Sequence, residues 1–384
     1  MIYLDNAATT WPKPPCVSKA MADFLERVGA NPGRAGHRLA VKASQSVYMA
    51  REAVAGIFNA PDPLRVVFGH NITEALNLCL QGILKPGDHV ITSSMEHNSM
   101  MRPLRRLQKK GIEVSVVGCD KCGRLKPSDV EAHIRPNTKM AAVNHASNVV
   151  GTLLPIREIG TLCRKHGIMS LVDTAQSAGS CPIDMQKDMI DLLAFTGHKA
   201  LYGPTGTGGL IIGERVDEKQ VRPLIQGGTG SYSEFEEQPV FLPDAMESGT
   251  VNGVGLAGLA AAIQWISKEG LDKIRSHEIK LTQQLIDGLM QIPECFVYGT
   301  LNAKEQTAVV SFNIRGMPSS EAGLRLDDEY GILCRIGLHC APAAHMTIGT
   351  FPDGTVRFGI GYLNKQEDIT RAIEAVAALS RELK

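Results

Sequence analysis

Short apolar runs alternate with segments of helical period between about residues 46 and 214. The runs at residues 90–92, 140–143, 168–172, 190–195 and 210–212 are too brief for helices and carry few interspersed polar positions, the pattern of strands covered on both faces. Strands separated by helices are joined by crossovers, so this region is expected to form an α/β fold with a mainly parallel central sheet and helices on both faces. Lys85-Pro86-Gly87-Asp88 reads as the turn from a helix into one of these strands, because proline presets one turn dihedral and glycine accepts the next.

Two runs lead directly into reactive side chains. Residues 190–195 pass into Thr196-Gly197-His198-Lys199, and residues 168–172 into Asp173-Thr174-Ala175-Gln176. Ligands of open α/β sheets gather outside the carboxyl ends of the strands, which places a lysine and an acid at one crevice. Taken singly, Lys199 reads as a solvated loop lysine and Asp173 as a helix-capping or turn residue. Together they suit pyridoxal 5'-phosphate (PLP), which needs a lysine for its aldehyde and a carboxylate to keep its pyridine nitrogen protonated.

Further motifs accompany this pair in order along the chain. They are Tyr3-Leu4-Asp5-Asn6-Ala7-Ala8-Thr9-Thr10, Asn31-Pro32-Gly33-Arg34-Ala35-Gly36-His37, Glu96-His97-Asn98-Ser99, Ser147-Asn148-Val149-Val150-Gly151-Thr152 and Arg335-Ile336-Gly337-Leu338-His339-Cys340-Ala341-Pro342. With Val172-Asp173-Thr174-Ala175-Gln176-Ser177 and the lysine motif, the set resembles the class V aminotransferase family, in particular its cysteine desulfurase branch. The Cys340 segment is similar to the catalytic-cysteine loop of the group II, SUF-type enzymes.

The resemblance implies a fold type I PLP-dependent transferase that removes sulfur from L-cysteine, releases L-alanine and keeps a persulfide on Cys340. It assigns Lys199 to the cofactor aldehyde and to proton transfer at the substrate α-carbon, Asp173 to the pyridine nitrogen, and His97 to a stack on the ring. Gln176 and Asn148 fall at the ring's phenolic edge. Thr73, Thr196 and His198 fall to the phosphate, joined by Thr250 from a second subunit, which implies a homodimer. Arg357 matches the clamp for the substrate carboxylate, a task suited to a bidentate guanidinium, with Arg335 and Asn148 beside it. Arg335 and His339 would favour an ionised Cys340 if their side chains approach it. Asn71-Ile72 and Leu338 depart from the residues usual in relatives, which are Gly-Thr and histidine. Selenocysteine lyase, or another PLP-dependent amino-acid lyase of the family, is the alternative activity. A sulfur-acceptor protein, as in iron-sulfur cluster assembly, is the implied partner.

Composition narrows the remaining possibilities. Among 384 residues, 40 basic and 40 acidic side chains leave no net charge, and no run of like charge marks a nucleic-acid or membrane partner. The N-terminus lacks a basic segment followed by an apolar one, and no stretch of about 18 apolar residues occurs, so a cytoplasmic protein is expected. The nine cysteines are odd in number and without a repeating frame, which argues for reduced thiols. Cys119 and Cys122 form one CxxC without the second half of a zinc site, and no metal is expected. Residues 253–258 spell GxGxxG, but they open a long helix without a preceding strand, unlike a dinucleotide site. Residues 227–243, rich in Gly, Ser and Glu, read as a loop that could cover the active site.

From about residue 250 the pattern changes to a long helix through Leu256, Leu259, Ile263 and Ile266, then to short strands and helices. A large PLP-binding domain over 15–249 and a smaller α+β domain over 250–384 are expected, with residues 1–14 packing near the latter.

Overall fold

The computed structural model describes residues 1–33 and 36–382; Arg34 and Ala35 of the Asn31–His37 motif lie outside the described residues. The chain opens with β1 (Ile2–Tyr3), α1 (Pro15–Arg27) and α2 (Arg38–Ile57). Then come β2 (Val66–Gly69), α3 (Ile72–Ile83), β3 (His89–Ser93), α4 (Asn98–Gln108), β4 (Glu113–Val117), α5 (Pro127–Glu131), β5 (Thr138–Asn144), α6 (Ile156–Lys165), β6 (Met169–Asp173), β7 (Leu192–Thr196) and β8 (Gly208–Ile212). It continues with α7 (Gly253–Glu269), α8 (Leu271–Met290), β9 (Cys295–Tyr298), β10 (Val309–Ile314), α9 (Ser319–Asp328), β11 (Ile332–Leu333) and β12 (Arg335–Gly337). The last elements are α10 (Pro342–Ile348), β13 (Thr355–Gly359) and α11 (Gln366–Arg381).

The large sheet has the order β2-β8-β7-β6-β5-β3-β4. The β7-β6-β5-β3-β4 pairs are parallel, as the apolar runs predict, and β8 runs antiparallel to both of its neighbours. Successive residues of one strand feed opposite faces. Leu193 and Phe195 join a core with α1, α2, α6 and α7, while Leu192 and Ala194 join one with α3 and α4. Burial on both sides is why these strands carry continuous apolar runs, each large side chain contributing about 1.5–3 kcal/mol.

The boundary near residue 250 needs correction. Helix α7 packs against α1 and α2, and its Leu256, Leu259, Ile263 and Ile266 belong to the core of the large sheet. Its glycines permit this approach: a Cβ at Gly253 would lie 2.6 Å from the Phe24 ring, and one at Gly258 would lie 2.8 Å from Met21. The GxGxxG pattern is thus a helix-packing surface. The smaller core begins with α8, which with α9 and α11 packs on the antiparallel sheet β12-β13-β10-β9. Strand β1 pairs in parallel with β11, and Leu4 enters this smaller core. Among the described residues no helix is long and apolar enough to cross a membrane.

Candidate active site

The carboxyl ends of β5, β6 and β7 bring Asn144, Asp173 and Thr196 side by side, with Asn144 paired to Asp173 and Asp173 to Ala194 in the sheet register. Beyond them lies an open cleft also lined by Thr73, His97, Asn148, Gln176, His198 and Lys199. Residues from five separated segments therefore meet where parallel strands end, as the strand-end argument predicts.

Burial sets the charge states of the floor. Asp173 is 4% exposed, its carboxyl pushed up by desolvation although Oδ1 accepts the Ala175 N–H at 2.8 Å and Lys199 opposes the shift. The half-buried Lys199 amine is pushed down to about 8 by desolvation, against the pull of Asp173. His97 caps α4, its Nδ1 accepting the Ser99 N–H at 3.0 Å, and desolvation holds its pKa at about 4. A neutral ring protonated on Nε2 results. The Ser99 hydroxyl meets both His97 Nδ1 and Thr73 Oγ1 at 2.8 Å, tying α3 to α4.

Several polar atoms in the cleft have no protein partner. Thr196 Oγ1, His198 Nδ1 and Asn148 Oδ1 are buried without hydrogen bonds. Such atoms normally find partners, so together they mark a place built for a polar ligand. Gln176 Nε2 donates to the Ala7 carbonyl at 3.0 Å, which holds the side chain at the cleft wall. Thr250 is exposed, receives the Asn31 amide at 3.5 Å and does not line the cleft of its own chain. The 227–243 loop does not line it either, contrary to the covering role expected for it. Beyond that loop, Glu247 is held by buried Arg51 and accepts the Phe68 N–H at 2.6 Å, which anchors the segment against β2.

The rim comes from the smaller unit. Arg335 and Arg357 are paired across β12 and β13. Arg357 is 1% exposed and donates to Asp5 Oδ1 and to the Asn148 carbonyl, each at 2.9 Å, while its Nε has no partner. Cys340 is exposed in the loop before α10, and Arg335 approaches its Sγ at 3.7 Å. The Asn98 N–H bonds the Cys340 carbonyl at 2.9 Å, and Asn148 Nδ2 bonds the His339 carbonyl at 2.7 Å. His339 and Cys340 both adopt positive φ, at 47° and 58°, a conformation costing about 1–3 kcal/mol per residue outside glycine. The histidine does not assist the thiol as the motif suggests: its Nε2 meets Thr355 Oγ1 at 3.0 Å, and burial drives its pKa to about 2, leaving the ring neutral.

The sequence matches the family described as Aminotransferase class-V over residues 2–372. The chain belongs to the class V aminotransferase family. It is 36% identical to a probable cysteine desulfurase of Pyrococcus abyssi, over all of this chain and 95% of that one. It is 35% identical to a probable cysteine desulfurase of Methanothermobacter thermautotrophicus, over 96% and 92% of the two chains. The apo structure of cysteine desulfurase from Thermococcus onnurineus NA1 superposes with a TM-score of 0.92 at 34% identity, covering 99% of this chain and 95% of that one.

Class V aminotransferases are PLP-dependent enzymes, and the residues present fit that cofactor. The orphaned Thr196 and His198 atoms offer phosphate contacts, Asp173 offers the carboxylate, and Lys199 the amine. Sequence reasoning gave Glu96 no role beyond its place beside His97. Its carboxyl is wholly buried, accepts Ser93 Oγ at 2.5 Å and the Asn144 N–H at 3.0 Å through Oε1, and leaves Oε2 without a partner. Asp5, the ion-pair partner of Arg357, likewise stands in the sequence only as part of the Tyr3–Thr10 motif. Neither carboxylate carries a local sequence signal of burial.

Proposed function

We propose that this chain is a PLP-dependent cysteine desulfurase that converts L-cysteine to L-alanine and collects the sulfur as a persulfide on Cys340. The observation that carries the reading is the exposed Cys340 thiol beside Arg335, on a loop pinned to Asn98 and Asn148 above the Lys199 cleft. Similarity to cysteine desulfurases along the whole chain supports it.

When bound, PLP supplies an aldehyde for amines and a ring that stores electrons released at the substrate α-carbon. Lys199 would hold the aldehyde and would carry the α-proton, a task eased by a pKa lowered to about 8. Asp173 would face the pyridine nitrogen, whose positive charge would oppose the upward push of burial on its carboxyl. His97 would stack on the ring, and Gln176 and Asn148 would meet its phenolic edge. Thr73, Thr196 and His198 would hold the phosphate, and Thr250 of a second copy would complete the set in a homodimer. Arg357, whose Nε has no protein partner, would take the substrate carboxylate, assisted by Arg335 and Asn148. Cys340 thiolate attacks the substrate sulfur; the carbon-sulfur bond breaks, a sulfur-sulfur bond forms, and the substrate carbon takes a proton to become alanine. The free cysteines suit a reducing cytoplasm.

The test is alanine released from L-cysteine by PLP-loaded protein with a thiol reductant. Multiple turnovers in the wild type, with loss in Cys340→Ala and retained yellow colour, are expected. Turnover of selenocysteine but not cysteine would assign the chain to selenocysteine lyase instead.

A further inference from the structure

We propose that the exposed face of α4 docks an acidic partner protein whose thiol takes sulfur from Cys340, an inference that rests on the desulfurase reading for the identity of the cargo. Arg102, Arg105, Arg106 and Lys109 follow the spacing i, i+3, i+4, i+7, which aligns them on one face over about 10 Å. All four are exposed, whereas the intervening Leu104 and Leu107 face the core. Among the described residues none of the four forms an ion pair, and the side-chain bond of Arg105 goes to neutral Gln108. In a chain of zero net charge, four unpaired cations in one stripe form a local field rather than a general basic character.

The stripe borders the reactive thiol. It lines an open groove of about 970 Å³ whose other wall is α10, including Pro342 and the 60%-exposed Met346. Helix α10 starts two residues after Cys340, and the first residue of α4 donates to the Cys340 carbonyl at 2.9 Å. One wall of the groove therefore springs from the thiol loop, and the other is hydrogen-bonded to it. The cations favour a carboxylate-rich surface, and the flexible thioether of Met346 offers it an adaptable apolar contact. Nucleic acid is disfavoured because the groove has no aromatic ring on which bases would stack. Transfer is an exchange at sulfur. The partner thiolate attacks the outer sulfur of the persulfide, the bond to Cys340 Sγ breaks, and Cys340 leaves as thiolate while the partner keeps the sulfur and its proton. No oxidant is required.

The test uses holoenzyme and two synthetic peptides, one flanked by glutamates and one by lysines, each with a single cysteine held as a thionitrobenzoate disulfide. Cys340 attack releases thionitrobenzoate, and subtraction of the Cys340→Ala signal isolates it from the other thiols. The acidic peptide is expected to react about tenfold faster at low salt, with the advantage collapsing near 0.5 M salt and in the R105E/R106E variant. Alanine formation with a small thiol is expected to be unchanged in R105E/R106E, which verifies its fold. Equal rates for the two peptides, or an advantage that survives R105E/R106E, would overturn the proposal. So would tighter binding of a single-stranded oligonucleotide of equal charge, measured by fluorescence anisotropy. This exchange needs neither L-cysteine nor turnover, so failure of the desulfurase reading would show separately as absent alanine.

Discussion

The floor of the cleft is built at the ends of parallel strands, where Asn144, Asp173 and Thr196 are each less than a tenth exposed; the rim is built from β12 and the Cys340 loop, where Arg335 is half-buried and Cys340 exposed. The floor gains its chemistry from desolvation, which moves Lys199, Asp173 and His97 from their ordinary pKa values. The rim gains its chemistry from access, with a thiol held in open solvent by two backbone bonds and a left-handed loop. Activation of an amine and delivery of sulfur to an outside acceptor make opposite demands on solvent. Dividing them between two structural units meets both.

The strongest test of this division replaces one residue from each region. Lys199→Ala is expected to lose alanine formation by roughly a thousandfold or more together with the yellow cofactor band, since it removes both attachment and proton transfer. Cys340→Ala is expected to lose activity with L-cysteine to a similar degree while keeping the band. A Cys340→Ala protein unable to retain PLP would show that floor and rim are one unit.

Arg357 belongs to the rim by sequence and to the interior by burial, so its replacement sharpens the comparison. Arg357→Lys keeps a charge for Asp5 but loses the planar fork, and a charged hydrogen bond is worth about 1.5–3 kcal/mol. A roughly ten- to hundredfold fall in kcat/KM is expected, carried mainly by KM for L-cysteine. An unchanged KM would assign the residue to the Asp5 and Asn148 contacts alone. Arg335→Gln is expected to act less, slowing alkylation of Cys340 by iodoacetamide several-fold at neutral pH by removing the cation 3.7 Å from Sγ. Cofactor absorbance is expected to stay unchanged. A shifted band would place Arg335 in the floor.

The floor was legible in the sequence because strands buried on both faces leave unbroken apolar runs, and the polar residues at the close of each run mark a strand end. The rim was less so. Its strands are two or three residues long, and its side-chain directions depend on the turn between them. The motif placed His339 beside the thiol, yet the left-handed backbone turns it inward to Thr355. Helix α7 shows a related limit: its apolar period reveals that one face is buried but not which core receives it. Thr250 shows another: the resemblance assigns it to the phosphate, and it lies outside the cleft of its own chain.

Glu96 offers the smallest and most specific effect, from a residue that links the two regions. It lies under the floor against Asn144 and also borders the groove between α4 and α10. Burial pushes its carboxyl up to about 8, with Asp173 adding to the rise and the Ser93 and Asn144 bonds opposing it. In the unfolded chain a glutamate ionises near 4.5. Between these values the native state holds a proton that the unfolded state has released, so stability falls as pH rises from about 4.5 to about 8 and levels off above. Glu96→Gln removes this proton but keeps the neutral shape. Its thermal midpoint is expected to match the wild type near pH 5 and to exceed it progressively toward pH 8, with kcat little changed at pH 7. Asp173 carries a slope of the same sign, which the comparison between the two proteins cancels. Parallel midpoint curves would mean that Glu96 is charged in the native protein, and the floor would then hold two buried carboxylates against one lysine.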